Sequence, residues 1–301
     1  MTVTSGVVLV ALVAALLAFA VSAVRARPLS DEAAVDAVVA DVTRTRQLRR
    51  VFHRFLRQRL DRRTAGGLVL TVALLGSFTV AMVVGVILDM VDGSYGLASL
   101  DGVVAHWGVE NADPVNVEVL KVITQFGSTV VVLLALLIAA SVDFLRHRHA
   151  EIFLFAAIVI GGEKLIANGV KAVVQRERPD VLQLVPWDGS SFPSGHAASA
   201  AVVWPAVALL LGRGCSRLIR ALLAGTAALI TFAVAASRAL LGVHWLTDVL
   251  AGLAIGCGWF FLCAVVFGGR AQRRGDSFVA RPRRSRASSV SGASHRPGQE
   301  I

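Results

Sequence analysis

Apolar residues gather into seven stretches along the chain, at 6–24, 66–90, 117–141, 151–170, 197–212, 219–236 and 249–269, with polar segments between them. Each approaches the ~20 residues that a helix needs to cross a bilayer core. The pattern predicts an all-α polytopic membrane bundle. Its six-helix core is expected over 66–269, with an extra N-terminal transmembrane helix within 1–25. No basic residue precedes the first stretch and a strongly basic segment follows it, which favours a retained anchor over a signal peptide.

Inside the polar segments the pattern changes. Over 45–62, Leu48, Val51, Phe52, Phe55 and Leu60 recur at helical spacing among arginines. That suits an amphipathic helix on anionic headgroups, and less well a solvated cytoplasmic one, so 26–65 is expected to be a basic amphipathic segment. Residues 270–301 are rich in Arg, Ser, Gly and Pro and are expected to form a disordered tail. On the fourth span Lys164, Asn168, Lys171, Gln175 and Arg178 follow one another at i, i+4, i+7, i+11 and i+14, one polar stripe on a helix. A helix from Glu151 to the break forced by Pro179 would be ~42 Å long, against a hydrocarbon core of ~30 Å. Lys171 and Arg178 would then stand together at its outer end.

Composition narrows the class. The 301 residues are 55% hydrophobic, and 30 Lys and Arg against 20 Asp and Glu give a net charge of +10. A basic total can indicate nucleic acid, anionic lipid or membrane topology, and placement separates these. The arginines cluster in 25–65, at Arg146 and Arg148, at Arg213 and Arg217, and in the RPRRSR of the tail. This is the positive-inside pattern, so nucleic acid is set aside. A cytoplasmic C-terminus and contact with anionic lipid at that face are expected. Residues 91–116 hold Asp92, Asp101, Glu110 and Asp113 without one Lys or Arg, so that loop is assigned to the outside. By alternation 171–196 and 237–248 are also extracytoplasmic, although both carry basic residues. Cys215, Cys257 and Cys263 form no close ligand pair and read as buried packing. His147 and His149 lie in a segment read as cytoplasmic, without further ligands, and read as topology charge rather than a metal site.

Three short motifs fall in the exceptional outer segments. KAVVQRERP at 171–179 supplies Lys171 and Arg178; taken alone, phosphate binding and snorkelling to headgroups fit it equally. FPSGHAASA at 192–200 opens a span. Taken alone it reads as a turn and cap, but a helix N-terminus is also an anion site, and His196 stands on it. SRALLGVHWLTD at 237–248 places His244 four residues before Asp248. On one helix the carboxylate would accept from one imidazole nitrogen and leave the other as a nucleophile of fixed tautomer. Arg238 adds a fork suited to phosphate oxygens. An interfacial cluster with Trp245 as a belt residue explains Trp245 and little else.

Read in order as K-x6-R-P, P-S-G-H and S-R-x5-H-x3-D, these motifs resemble the phosphatidic acid phosphatase type 2 superfamily. All eleven specified positions are present: Lys171, Arg178, Pro179, Pro193, Ser194, Gly195, His196, Ser237, Arg238, His244 and Asp248. The resemblance covers roughly 66–269. It implies a membrane phosphatase that removes phosphate or diphosphate groups from lipids at the extracytoplasmic face through a phosphohistidine. By similarity His244 is the nucleophile, Asp248 orients it, and His196 is the acid and then the base. Lys171, Arg178, Ser194, Gly195 and Arg238 hold the phosphoryl oxygens, and no cofactor or metal ligand set is implied. Polyprenyl diphosphate, phosphatidic acid and phosphatidylglycerol phosphate are the expected lipid substrates, in a family-based ranking that puts the first foremost. A phosphotransferase using the same site, a transporter exploiting the intramembrane Glu163 and Lys164, and a non-catalytic scaffold are the rival readings. The vanadium haloperoxidases share the motifs, but seven spans argue against that chemistry.

Overall fold

The computed structural model describes residues 65–273, with side chains over 73–267. The expected first span at 6–24, the amphipathic helix at 45–62 and the tail beyond 273 lie outside the described residues. Among the described residues eight α-helices follow one another: α1 (Ala65–Gly93), α2 (Asp101–Glu110), α3 (Pro114–Gln125), α4 (Thr129–His147), α5 (Glu151–Val174), α6 (Gly195–Leu211), α7 (Arg217–Leu240) and α8 (Leu246–Arg273), with a short 3-10 helix at Gly96–Leu100. Among the described residues there is no strand. Of these helices five are long and apolar enough to cross a membrane, and α6 is a shorter apolar one. The chain is a multi-pass membrane protein. Leu75, Phe78, Leu137, Ile138, Leu229 and Phe232 are exposed on the outer faces of their helices, as lipid-facing side chains are.

α6 is the axis of the bundle and packs against α4, α5, α7 and α8. Its first turns read GHAASAAVV, and Ala197, Ala198, Ser199, Ala200 and Ala201 are all fully buried. Small residues let backbones approach, which is how membrane helices gain contact when no hydrophobic driving force separates them from lipid. α8 answers with glycines. A Cβ on Gly256 would lie 2.3 Å from Ala198 O, and one on Gly252 2.6 Å from Ser194 O. At the end of the bundle away from these turns, buried Asp143 accepts hydrogen bonds from Arg213 Nη1 at 2.6 Å and His147 Nδ1 at 3.0 Å. The Arg213 contact ties α4 to the α6–α7 turn, and the other gives His147 a carboxylate partner on its own helix.

Two expected spans differ from the structure. The 117–141 stretch is broken at 126–128 into amphipathic α3 and spanning α4. Gly127 lies so close to α6 that a Cβ there would be 2.9 Å from His196 O and 2.6 Å from a Val234 methyl. The chain therefore bends around the start of α6. The long fourth span stops at Val174, four residues before Arg178, with Gln175 as a left-handed cap at φ 47. Arg178 is consequently not on the helical stripe, though Lys164, Asn168 and Lys171 are. Of the cysteines only Cys263 is buried; Cys257 is exposed on the outer face of α8 and Cys215 is half-buried.

The α6–α8 contact sets the stability of the bundle. Gly256→Val is expected to cost about 1–3 kcal/mol through overpacking and to lower the melting temperature in detergent. Gly225→Val, on a face of α7 with nothing within 4 Å, should leave it nearly unchanged. Equal melting temperatures for the two variants would refute the close contact.

Candidate active site

At one end of the bundle α5 and α7 stop while α6 and α8 begin, and the three motif segments meet there. The 241–245 turn depends on Gly242, which has φ +71 and approaches Leu182 O to within 3.0 Å of where a Cβ would be. An L side chain at that position would be strained and crowded at once. The turn brings His244 to the mouth of α8, just before its first residue, rather than onto the helix itself.

Asp248 is fully buried and saturated with donors. Oδ1 accepts from Arg176 Nη1 at 2.6 Å. Oδ2 accepts from the Trp245 amide at 2.9 Å and from the Ser191 hydroxyl. His244 Nδ1 stands 3.5 Å from the same oxygen, an ion-pair distance rather than a tight hydrogen bond. That places the Nδ1 edge toward the carboxylate and the Nε2 edge away from it. Nε2 lies 3.4 Å from Arg178 Nη1. Burial pushes the His244 imidazole down to about 4, although Asp248 pulls in the opposite direction. The ring is therefore neutral near pH 7, with an unprotonated nitrogen beside a guanidinium.

The cations come from separate elements. Arg178 donates to Val243 O at 2.6 Å, Asp188 O at 2.8 Å and Gly189 O at 3.1 Å, and its guanidinium lies 4.8 Å over the Trp187 ring. Burial holds its pKa below the usual guanidinium range, against the pull of Asp248 and Asp188; it stays charged. Lys171 Nζ donates to Ser190 O at 2.8 Å, on the same loop. Arg238, buried on α7, donates through Nη1 to Thr124 Oγ1 of α3 at 3.2 Å. Among the described residues its Nε is buried without a partner, as is Ser194 Oγ at the N-cap of α6. His196 follows in the first turn of α6, where the leading amides have no intrahelical acceptor. Arg238, His244, Lys164 and Lys171 all lie within electrostatic reach of its ring. A cleft of about 580 Å³, lined among others by Asn168, Lys171, Gln175 and Asp188, opens beside Lys171.

The site thus combines an unprotonated imidazole nitrogen backed by a carboxylate, a second imidazole on a helix N-terminus, and three cations within electrostatic reach of one another. Such a set suits a tetrahedral oxyanion. Residues 152–272 match the model of the PAP2 superfamily. A phosphatidylglycerophosphatase B of Bacillus subtilis is 35% identical over 151 residues, 48% of this chain and 72% of that one. The chain belongs to the PAP2 superfamily of membrane lipid phosphatases. A decaprenylphosphoryl-5-phosphoribose phosphatase of Mycobacterium tuberculosis is 31% identical, over 50% of this chain and 81% of that protein. The crystal structure of a transmembrane PAP2-type phosphatidylglycerolphosphate phosphatase from Bacillus subtilis superposes with a TM-score of 0.57 at 29% identity. It covers 65% of this chain and 97% of that one.

Several residues of this PAP2 site do not stand out in the sequence. Arg176 sits between Asp248 and Asp101, donating to Asp101 Oδ2 at 2.8 Å and to Thr247 Oγ1 at 2.8 Å. Asp101, read above as an outer-loop charge, is buried at the start of α2 and also accepts from the amide and hydroxyl of Thr247 at 2.9 and 2.6 Å. The doubled arginine of R-E-R-P was the available signal for Arg176. Nothing distinguishes Asp101 from its acidic neighbours.

Arg176 acts through Asp248 and is a positioning residue. Its hydrogen bonds join charged groups, each worth about 1.5–3 kcal/mol. Arg176→Ala is expected to lower kcat for phosphate release about 10- to 100-fold, with KM changed far less. Asp101→Asn should add little on top of it, because both act through one network. Full additivity of the two substitutions would contradict the linkage.

Proposed function

We propose that this protein hydrolyses phosphorylated lipids at the extracytoplasmic face through a phosphohistidine on His244. The observation that carries the reading is the placement of His244 between Asp248, at Nδ1, and Arg178, at Nε2. His244 Nε2 attacks phosphorus, the bond to the leaving oxygen breaks, and the electron pair departs with that oxygen, which takes a proton from His196. Asp248 stabilises the positive ring that results. In the second step neutral His196 accepts a proton from water, the oxygen attacks phosphorus, and the P–N bond returns its electrons to Nε2. Both histidines are then restored. Lys171, Arg178 and Arg238, with the Ser194 hydroxyl and the Gly195 amide, hold the phosphoryl oxygens and stabilise the charge that grows in each transition state. Arg238 Nε and Ser194 Oγ, buried without partners among the described residues, suit that task.

The orientation rests on charge. Arg146, Arg148, Arg213, Arg217 and Arg220 lie at the end of the bundle away from the site, whereas Asp89, Asp92, Glu110 and Asp113 lie at the site end. The site then opens at the outer headgroup level, where lipid phosphates and diphosphates reside. The named substrates of the similar proteins, phosphatidylglycerol phosphate and a decaprenyl-linked phosphoribose phosphate, support a lipid phosphate as the substrate class.

Purified protein in detergent with EDTA should release phosphate from polyprenyl diphosphate, phosphatidic acid or phosphatidylglycerol phosphate, and His244→Ala should abolish it. The pH profile of kcat/KM is expected to be bell-shaped. Because His244 must be neutral and is held down to about 4, the acid limb falls below about pH 4. The alkaline limb falls as His196 loses the proton it must donate; burial and the surrounding cations push that ring down, so the negative charge of a bound phosphate must raise it for this limb to lie on the alkaline side. A rate that keeps rising past neutrality would remove His196 from the role of acid.

For the orientation, a cysteine placed at exposed Asp188 should react with a membrane-impermeant maleimide in intact cells. Labelling only after the cells are opened would put the site on the cytoplasmic side.

A further inference from the structure

Beneath the three motif segments lies a charged cluster that the proposed reaction does not use. Glu163 on α5 and Ser199 on α6 are both fully buried. Lys164 Nζ donates to Ser199 Oγ at 2.9 Å, Ser199 Oγ donates to Glu163 Oε2 at 3.3 Å, and the ammonium stands 3.8 Å from that oxygen. Glu163 Oε1 has no hydrogen-bond partner among the described residues. Burying ions within a span is expensive, and apolar side chains of similar volume would pack there at no such cost. A pair retained under those terms calls for a use. The two members differ in access, since the Glu163 side chain is 0% exposed and that of Lys164 32%. What the pair offers to an incoming group is its cation, held in place by Ser199 and Glu163, with N–H donors to spare.

Position gives that cation a task. Lys164 lies seven residues before Lys171 on α5, on the same face and ~10 Å nearer the middle of the membrane. Its anchor Ser199 is one turn beyond His196 on α6. The ammonium is within electrostatic reach of both His196 and Lys171. In the reaction above, His196 faces the leaving oxygen, so a leaving group continues past His196 toward the membrane interior, where its lipid tail must go. Lys164, bonded to Ser199 one turn beyond His196, is a cation on that side of the imidazole. We propose that Lys164, positioned by Ser199 and Glu163, binds a second phosphate carried by the leaving group and so makes the site selective for lipid diphosphates over the corresponding monophosphates. The inference rests on the orientation of the substrate in the proposed function. A monophosphate ester places its uncharged alcohol beside Lys164 and gains no charge-assisted hydrogen bond there.

The test pairs two substrates with one chain, farnesyl diphosphate and farnesyl monophosphate, using the full-length protein in detergent. Lys164→Met removes the cation, and Glu163→Gln combined with Lys164→Met removes both charges so that no orphaned carboxylate is left to unfold the bundle. In both variants the ratio of kcat/KM for diphosphate over monophosphate should fall about tenfold or more, the scale of one charge-assisted hydrogen bond. Lys164→Arg should restore most of it. Methylene diphosphonate should inhibit the parent protein at lower concentration than inorganic phosphate does, and lose that advantage in the double variant. An unchanged ratio in a double variant that keeps its melting temperature, or a parent protein that hydrolyses only monophosphates, overturns the subsite and leaves the proposed function standing. A parent protein that releases phosphate from neither substrate, nor from phosphatidic acid or phosphatidylglycerol phosphate, overturns both.

Discussion

The carboxylate of Asp248 is shut off from solvent and shared by groups from widely separated parts of the chain. Arg176 reaches it from the end of α5, Ser191 from the loop before α6, and the Trp245 amide and His244 from its own segment. A buried anion without partners is too costly to persist, so each of these segments must be in place for the others to be stable. The Ser194 amide also donates to Asp248 O at 3.0 Å, which joins the mouth of α6 to that of α8 by backbone alone. Through Arg176 the network continues to Asp101 and Thr247 and reaches the first turn of α2. The interaction that orients one imidazole thus also assembles the end of the bundle around it.

This arrangement explains how a site built on turns can be precise. α6 is clamped by small-residue contacts along its length, so His196 and Ser194 are carried on the most buried helix of the fold. The loops on either side are pinned by hydrogen bonds that their own backbone accepts: Arg178 is bonded to the carbonyls of Val243, Asp188 and Gly189, and Lys171 to that of Ser190. Cations fixed by carbonyls keep their positive charge and cannot collapse onto a carboxylate. Oriented donors of this kind stabilise developing charge without having to reorganise.

How much of this was legible in the sequence follows the range of the interactions. Spans are written in runs of apolar residues, and the three motifs carry residue types that an apolar environment does not otherwise tolerate; both are local patterns. The ends of elements were harder. Pro179 signalled a break after Lys171, but the chain leaves the helix at Gln175 because the residues beyond it are recruited by Asp248 and by the 188–190 loop. The break at 126–128 is imposed by the approach of Gly127 to His196, a contact between residues sixty-nine positions apart. Asp101 was indistinguishable from surface acids because its partners, Arg176 and Thr247, lie 75 and 146 residues away. Glu163 was visible as an anomaly; its explanation needed Ser199, which in the sequence is one more small residue of an alanine-rich run.

Charge balance connects these local features to chemistry. Arg176 is neutralised by Asp101 and Asp248, and Arg213 at the far end by Asp143. At the site Lys171, Arg178 and Arg238 have no carboxylate of their own within salt-bridge distance among the described residues; their hydrogen bonds go to carbonyls, a hydroxyl and the His244 ring. Like charges gathered in a medium of low dielectric repel strongly unless an anion joins them. The acidic partners that would relieve this repulsion are present in the fold but are already spent, Asp101 and Asp248 on Arg176. An anion held among the three would relieve the repulsion that their carbonyl partners leave standing. Asp248 itself is taken up by Arg176, Ser191 and the Trp245 amide on the Nδ1 side of His244, while Arg178 stands on the Nε2 side.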